Sequence, residues 1–142
     1  MIATGIIETI IYKHVKSNSI FGAFPEIEKG DLAPVTEQNN HDRISIRCNA
    51  SDNTDWQHSF AYVYIYVPDK KDLANNVYRK NDAKLTQYEQ EADKLFKHKT
   101  FDNSTGETFY YQLDSIKKEK ESETWSHVIT VKLRVTNSNF KL

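Results

Sequence analysis

One cysteine, Cys48, leaves no partner for a disulfide within the chain. Neither sign of charge dominates. Nineteen Lys and Arg stand against twenty Asp and Glu, a formal net charge of −1 and a pI near 6.5. No global pull toward nucleic acid or an anionic membrane follows from that balance. The opening MIATGIIETIIYKHV lacks a basic start, and Glu8 breaks its apolar run. It reads as neither a signal peptide nor a membrane span, so synthesis in the cytoplasm is expected. Asn49-Ala-Ser51 and Asn103-Ser-Thr105 match glycosylation acceptors, but without a secretion signal they read as chance matches. There is no phosphate-binding loop, no GxSxG, no GxGxxG, and no HxH, HxxxH or CxxC pair. No internal repeat or low-complexity boundary divides the chain. The catalytic, metal and cofactor classes with recognisable signatures therefore drop out, and no cofactor is expected.

What is present is a globular composition. The 142 residues, 38% hydrophobic and 27% charged, fit one domain able to bury a core without a staple. The chain is organised around residues 58–67, HSFAYVYIYV, with no charge from Ser59 to Val67. Alternation sends Ala61, Val63, Ile65 and Val67 to one face and Phe60, Tyr62, Tyr64 and Tyr66 to the other. With both faces apolar, it reads as a central strand covered on both sides. The aliphatic face suits a core, and the tyrosine face suits an interface.

Around it, Ile7, Ile10, Ile11 and Val15 have the spacing of an amphipathic helix, with Thr4 as N-cap. Residues 20–27 read as a short extended piece that Pro25 confines to an edge or a strand end. Residues 28–42 read as a long polar loop, of the kind that often docks or binds. Residues 43–50, RISIRCNA, alternate strictly. Ile44, Ile46 and Cys48 point in, while Arg43, Ser45, Arg47 and Asn49 point out, and an antiparallel hairpin with the central strand is expected through the turn SDNTD. Residues 70–81 read as polar and irregular. The main helix is capped by Asn81 or Asp82 and carries the stripe Leu85, Tyr88, Ala92, Leu95 and Phe96. Residues 102–106 read as a turn. Strands at 108–116 and 125–137 close the chain around a charged tip, and the second turns Ile129, Val131, Leu133 and Val135 inward. The tail from Ser138 onward reads as frayed or docked on a neighbour. The expected fold is α+β: a small, mostly antiparallel sheet of about five strands, packed by the main helix and an N-terminal helix.

Several residues are candidates for chemistry. Cys48 shares parity with Ile44 and Ile46, so it reads as a buried structural thiol rather than a nucleophile. His58 and His127 both open strands and could approach each other, but they lack further metal ligands. Glu26, Glu28 and Asp31 could cluster, although a solvated loop explains them. Tyr62, Tyr64 and Tyr66 could stack bases, with Arg43 and Arg47 supplying phosphate contacts. A core or subunit interface explains the same stripe without phosphates.

The order of elements, with Phe24-Pro25 leading to Ala33-Pro34, the hairpin RISIRCNA…HSFAYVYIYV, the helix LTQYEQEADKLF and the closing WSHVITVKLRVTN, resembles the tail-completion and tail-terminator proteins of long-tailed bacteriophages. The chain departs from that pattern in residues 70–81, an apparent insertion, and in the longer polar segment 37–42. The resemblance covers most of the chain. It implies a non-enzymatic virion protein of the tail and neck. Such a subunit forms a ring, commonly hexameric, that caps the tail tube and meets neck or connector proteins. Membrane and specific nucleic-acid partners are not implied. Interface residues under this reading are Tyr62, Tyr64, Tyr66, Arg43, Arg47, Lys132, Arg134, Glu28 and Asp31, with Glu26, Glu28 or Asp31 of a neighbour answering the arginines. A single-stranded nucleic-acid module using the aromatic strand, and a small ligand-binding domain, are the alternatives.

Overall fold

The spacing of Ile7, Ile10, Ile11 and Val15 produces the helix it implies. In the computed structural model, which describes residues 4–36, 40–49, 56–103, 109–121 and 125–138, α1 spans Thr4–Lys16 and buries those four side chains. Lys13, His14 and Lys16 occupy its last turn, where positive charge complements the helix dipole. The chain then doubles back through a 3₁₀ turn, Phe21–Ala23. Asn18 Oδ1 accepts from the backbone N–H groups of Ile20 and Phe21, both at 2.9 Å. Gly22 is required here, because a Cβ would stand 2.4 Å from the Lys16 carbonyl oxygen.

The strands are β1 Glu26–Lys29, β2 Arg43–Cys48, β3 Trp56–Pro68, β4 Lys70–Asp72 and β5 Val77–Arg79. After α2, Asp82–Phe96, come β6 Thr100–Asp102, β7 Phe109–Glu121 and β8 Ser126–Ser138. Six of them form one sheet in the order β1-β2-β3-β8-β7-β6, and β4 and β5 form a separate hairpin. The class is α+β. The sheet, however, is mixed and larger than the expected five mostly antiparallel strands. β1 runs parallel to β2, whereas every other neighbouring pair is antiparallel. Residues 30–42 supply the crossover that a parallel return needs, so the long polar stretch is partly a connection and its first residues belong to β1. Pro25 does precede an edge strand, as its missing donor requires. Residues 70–79 form the β4–β5 hairpin rather than an irregular stretch. Asp72 organises it, accepting from the backbone N–H of Ala74 and Asn75, from Asn75 Nδ2 at 2.9 Å and from Arg79 Nε at 3.1 Å. Asn76, at φ 52, makes the turn. These hydrogen bonds, from Asn75 first and then Arg79, hold the Asp72 carboxyl below its ordinary pKa.

β3 lies between β2 and β8 and pairs along its whole length with β8. Ile44, Ile46, Ala61, Val63, Ile65, Val67, Ile129, Val131, Leu133 and Val135 form one buried cluster with the helices. α2 contributes Leu85, Tyr88, Ala92 and Phe96, while Leu95 of the same stripe is only half-buried. Asn81 caps it, its side chain accepting from the Lys84 N–H at 3.3 Å. His14 Nε2 donates to the Leu95 carbonyl at 3.2 Å and joins the two helices.

Two expectations fail here. The central strand is covered on one side only. Both helices pack on the aliphatic face, and Phe60, Tyr62, Tyr64 and Tyr66 remain half-exposed. His58 and His127 do not meet, because the antiparallel register sets His58 opposite Thr136 and His127 opposite Val67, at opposite ends of β3. His127 Nδ1 instead lies 2.6 Å from the buried Asp69 carboxylate. The turn SDNTD and the tail beyond Ser138 lie outside the described residues.

Leu133 is fully buried. Leu133→Ala should lower stability by about 2–5 kcal/mol through lost transfer energy and a cavity. A urea midpoint equal to that of the unsubstituted chain would contradict its place in the core.

Candidate interface on the open sheet face

Strand register builds the open face row by row. Arg43, Tyr66, Val128 and Glu119 form one row across β2, β3, β8 and β7. Ser45, Tyr64, Thr130 and Lys117 form the next, then Arg47, Tyr62, Lys132 and Ser115. Phe60, Arg134 and Gln112 follow, and Glu28 extends the second row onto β1. Eight of the nine expected interface residues therefore share this one face. The ninth, Asp31, reaches it from the loop by an ion pair with Arg47.

The aromatic rings form a ladder. Tyr62 and Tyr64 stack with centroids 5.9 Å apart and planes 12° apart. Lys132 Nζ sits 4.2 Å from the Phe60 centroid, and the Arg43 guanidinium 4.8 Å from that of Tyr66. The Tyr64 and Tyr66 hydroxyls are pushed above their ordinary pKa, chiefly by desolvation. They remain protonated donors at neutral pH.

The cations of this face are answered from within the chain. Asp114 accepts from Arg134 Nη2 at 3.4 Å and lies 3.8 Å from Lys132 Nζ. Arg47 is paired with Asp31 in the same chain, not held free for a neighbour's acid. The Arg47 and Asp31 side chains are 51% and 93% exposed, so this pair contributes little stability.

Arg43 corrects its sequence reading. It is only 4% exposed, because the chain after β1 folds back over it. Gly30, at φ 90, allows the reversal. Ser45 Oγ donates to the Gly30 carbonyl at 2.5 Å, Ala33 N–H to Glu26 Oε2 at 3.2 Å, and Arg43 Nη1 to the Ala33 carbonyl at 3.5 Å. A cavity of about 240 Å³ remains at this end, lined by Leu32, Arg43, Ser45, Arg47, Tyr66 and Glu121.

Other candidates disperse. Glu26 turns to Ala33 and Asp31 to Arg47, so the suspected carboxylate cluster does not form. Among the described residues no three His, Cys, Asp or Glu side chains group to hold a metal. None of the helices described is long and apolar enough to cross a membrane. Cys48 is half-buried at the end of β2, with its backbone N–H donating to Glu8 Oε2 at 3.0 Å.

Sequence reasoning missed Asp114, the acid that pairs with the two β8 cations. It also missed Tyr110 and Phe101, an aromatic pair 5.2 Å apart beside Lys99 at the far edge of the sheet. The alternation of Phe109, Tyr110 and Tyr111 along β7 was the available signal for Tyr110.

No family model and no curated protein matches the chain. It is similar to a solved structure whose name states no function. The two are 12% identical, with a TM-score of 0.57 over 97% of this chain and 94% of the other. That likeness supports the fold alone. Fold and face together define a class: an α+β domain whose mixed sheet is covered on one side and presents an aromatic, charge-paired surface on the other.

Burial pushes the Cys48 thiol up to about 11, Ser59 partly offsets this, and the Glu8 charge adds to it. A raised folded pKa contributes stability that is complete below the ordinary thiol value of 9.0 and fades as pH rises toward 11. At pH 8 the folded chain should react with dithiobisnitrobenzoate at least tenfold more slowly than the urea-unfolded chain, because the thiolate is the nucleophile. Equal rates would show that the thiol is not shielded.

Proposed function

We propose that this chain is a non-enzymatic assembly subunit that forms a ring at the head-proximal end of a phage tail tube. In this reading it caps the tube and offers the neck a docking surface. The observation that carries the proposal is the open face of β3. A row of four half-exposed aromatic side chains on a strand whose other face is fully buried is the pattern of a surface that protein covers. The similarity of element order and strand sequence to tail-completion and tail-terminator proteins supplies the tube and neck as partners.

Binding of single-stranded nucleic acid is the second reading, favoured by the stacking of the half-buried Tyr62 and Tyr64 on the open face. The charges of the face weigh against it. Phosphate binding draws on cations left free to replace counterions, whereas Arg47, Lys132 and Arg134 already have carboxylate partners.

The test substitutes Tyr62→Ser and Tyr64→Ser together. Both side chains lie off the core, so circular dichroism should be unchanged. Co-sedimentation with tail tubes of the phage or prophage that encodes this chain should weaken at least tenfold. Undiminished binding to tubes would overturn the role of this face. Salt-dependent binding of the unsubstituted chain to an oligothymidylate, lost in the double variant, would move the assignment to nucleic acid.

A further inference from the structure

The sheet ends in two dissimilar edges. β6 pairs only with Phe109, Tyr110 and Tyr111 of β7. From residue 112 to 121, β7 has β8 on one side and no strand on the other among the described residues. Beside that free stretch a groove of about 670 Å³ opens between α2 and β7. Half-buried Leu113 and Ile116 line it, with Glu89 and Asp93 among its polar groups. Lys117, Lys118 and Lys120 stud the free stretch itself, a common guard against indiscriminate strand pairing.

The opposite edge is complementary. β1 pairs with β2 alone, carries Glu26 and Glu28 on the open-face side, and turns Ile27 inward. Lys29 Nζ donates to Thr9 Oγ1 at 2.9 Å, which brings one face of α1 alongside this edge. Ile6 and Lys13 share that helical face with Thr9. Ile6 is 45% exposed on a helix that otherwise buries its isoleucines, and Lys13 is exposed.

We propose that β1 of one copy adds to the free stretch of β7 of a second copy, with Ile6 entering the groove between α2 and β7. Strand directions make the pairing antiparallel, since β1 runs with β2 and against β7. Setting Ile27 beside Ile116 places Glu26 beside Lys117 and Glu28 beside Ser115. Inner residues then meet inner residues, and Glu26 meets Lys117, although the free stretch as a whole balances Lys117, Lys118 and Lys120 with Asp114, Glu119 and Glu121. Lys13 follows Ile6 toward the Asp93 carboxylate, since Glu89 already pairs with Lys118 at 3.0 Å. Because the two edges differ, the contact is head-to-tail, and it closes into a ring when the rotation between copies permits. The inference deepens the assembly reading by naming the self-contact, and it leaves the aromatic face free for another partner.

The experiment is cysteine cross-linking in a Cys48→Ser background. Residues directly opposite in an antiparallel pair have Cβ atoms about 4.5–5.5 Å apart. Glu28→Cys with Ser115→Cys in one chain should give a ladder of disulfide-linked multimers on oxidation. Either cysteine alone should give no product, and a mixture of the two single variants should give dimers. In the otherwise unsubstituted chain, Ile6→Glu should reduce the assembled mass seen by light scattering to that of the monomer, with the same circular dichroism. Absence of the ladder, or assembly undiminished by Ile6→Glu, overturns the edge contact. Tube binding that persists in that event preserves the assembly reading. A chain that is monomeric both alone and with tubes overturns both.

Discussion

The structure depends on the aliphatic side of β3 being covered, and on the fact that only one side can be. Ala61, Val63, Ile65 and Val67 are at most 1% exposed, and the inner residues of β2 and β8 extend the same surface. Each helix has a single apolar stripe, and both stripes are spent there. At roughly 25 cal/mol per Å² of apolar surface removed from water, this layer pairing is the main favourable contribution to the fold, and it fixes the two-layer arrangement. Among the described residues no third helix remains to cover the tyrosine row, so its half-exposure follows from where the two helices pack.

An uncovered aromatic row would invite aggregation if it were uniformly apolar. Here it is not. Lys132 lies over Phe60 and Arg43 over Tyr66, contacts worth about 0.5–1 kcal/mol at an exposed site and about 2 kcal/mol at a desolvated one such as Arg43. Asp114 is shared by Lys132 and Arg134, and Asp31 pairs with Arg47. The tyrosine hydroxyls add donors that water satisfies in the free chain and a partner can satisfy in a complex. The face therefore keeps its aromatic area accessible while its polar groups stay wetted.

Much of this was legible because it is periodic. α1, α2, the β2–β3 hairpin and β8 each carry an unbroken 3.6 or 2.0 repeat, and their core residues follow it, although Arg43, Ser45 and Val128 are buried off that repeat. Alternation also placed Tyr62, Tyr64, Tyr66, Arg47, Lys132 and Arg134 together on one side. What was not legible is non-local or too short to show a period. β1 and β6, of four and three residues, become strands only because longer neighbours accept them. The β4–β5 hairpin is polar and owes its form to Asp72 and the left-handed Asn76. Asp114 escaped because the register shift between Leu113 and Ser115 breaks the alternation that would have flagged it. Apolar residues on both faces of β3 suggested two covers, and sequence alone does not say how many helices can reach.

Arg43 shows how a local rule can be right about direction and wrong about environment. Its side chain points to the open face, as alternation requires, yet the returning loop buries it. Burying a guanidinium is expensive unless partners replace water. Here the Ala33 carbonyl and the Tyr66 ring do so, while Nε has no hydrogen-bond partner among the described residues. That cost is tolerable only if the loop, Arg43 and Tyr66 hold one arrangement together, since moving any of them strands the charge. The two ends of the aromatic row therefore differ in kind. At Tyr66 the surface is prebuilt from backbone, guanidinium and ring, so little freedom would be lost in any contact there. At Phe60 it rests on the Lys132 and Arg134 side chains, which Asp114 holds.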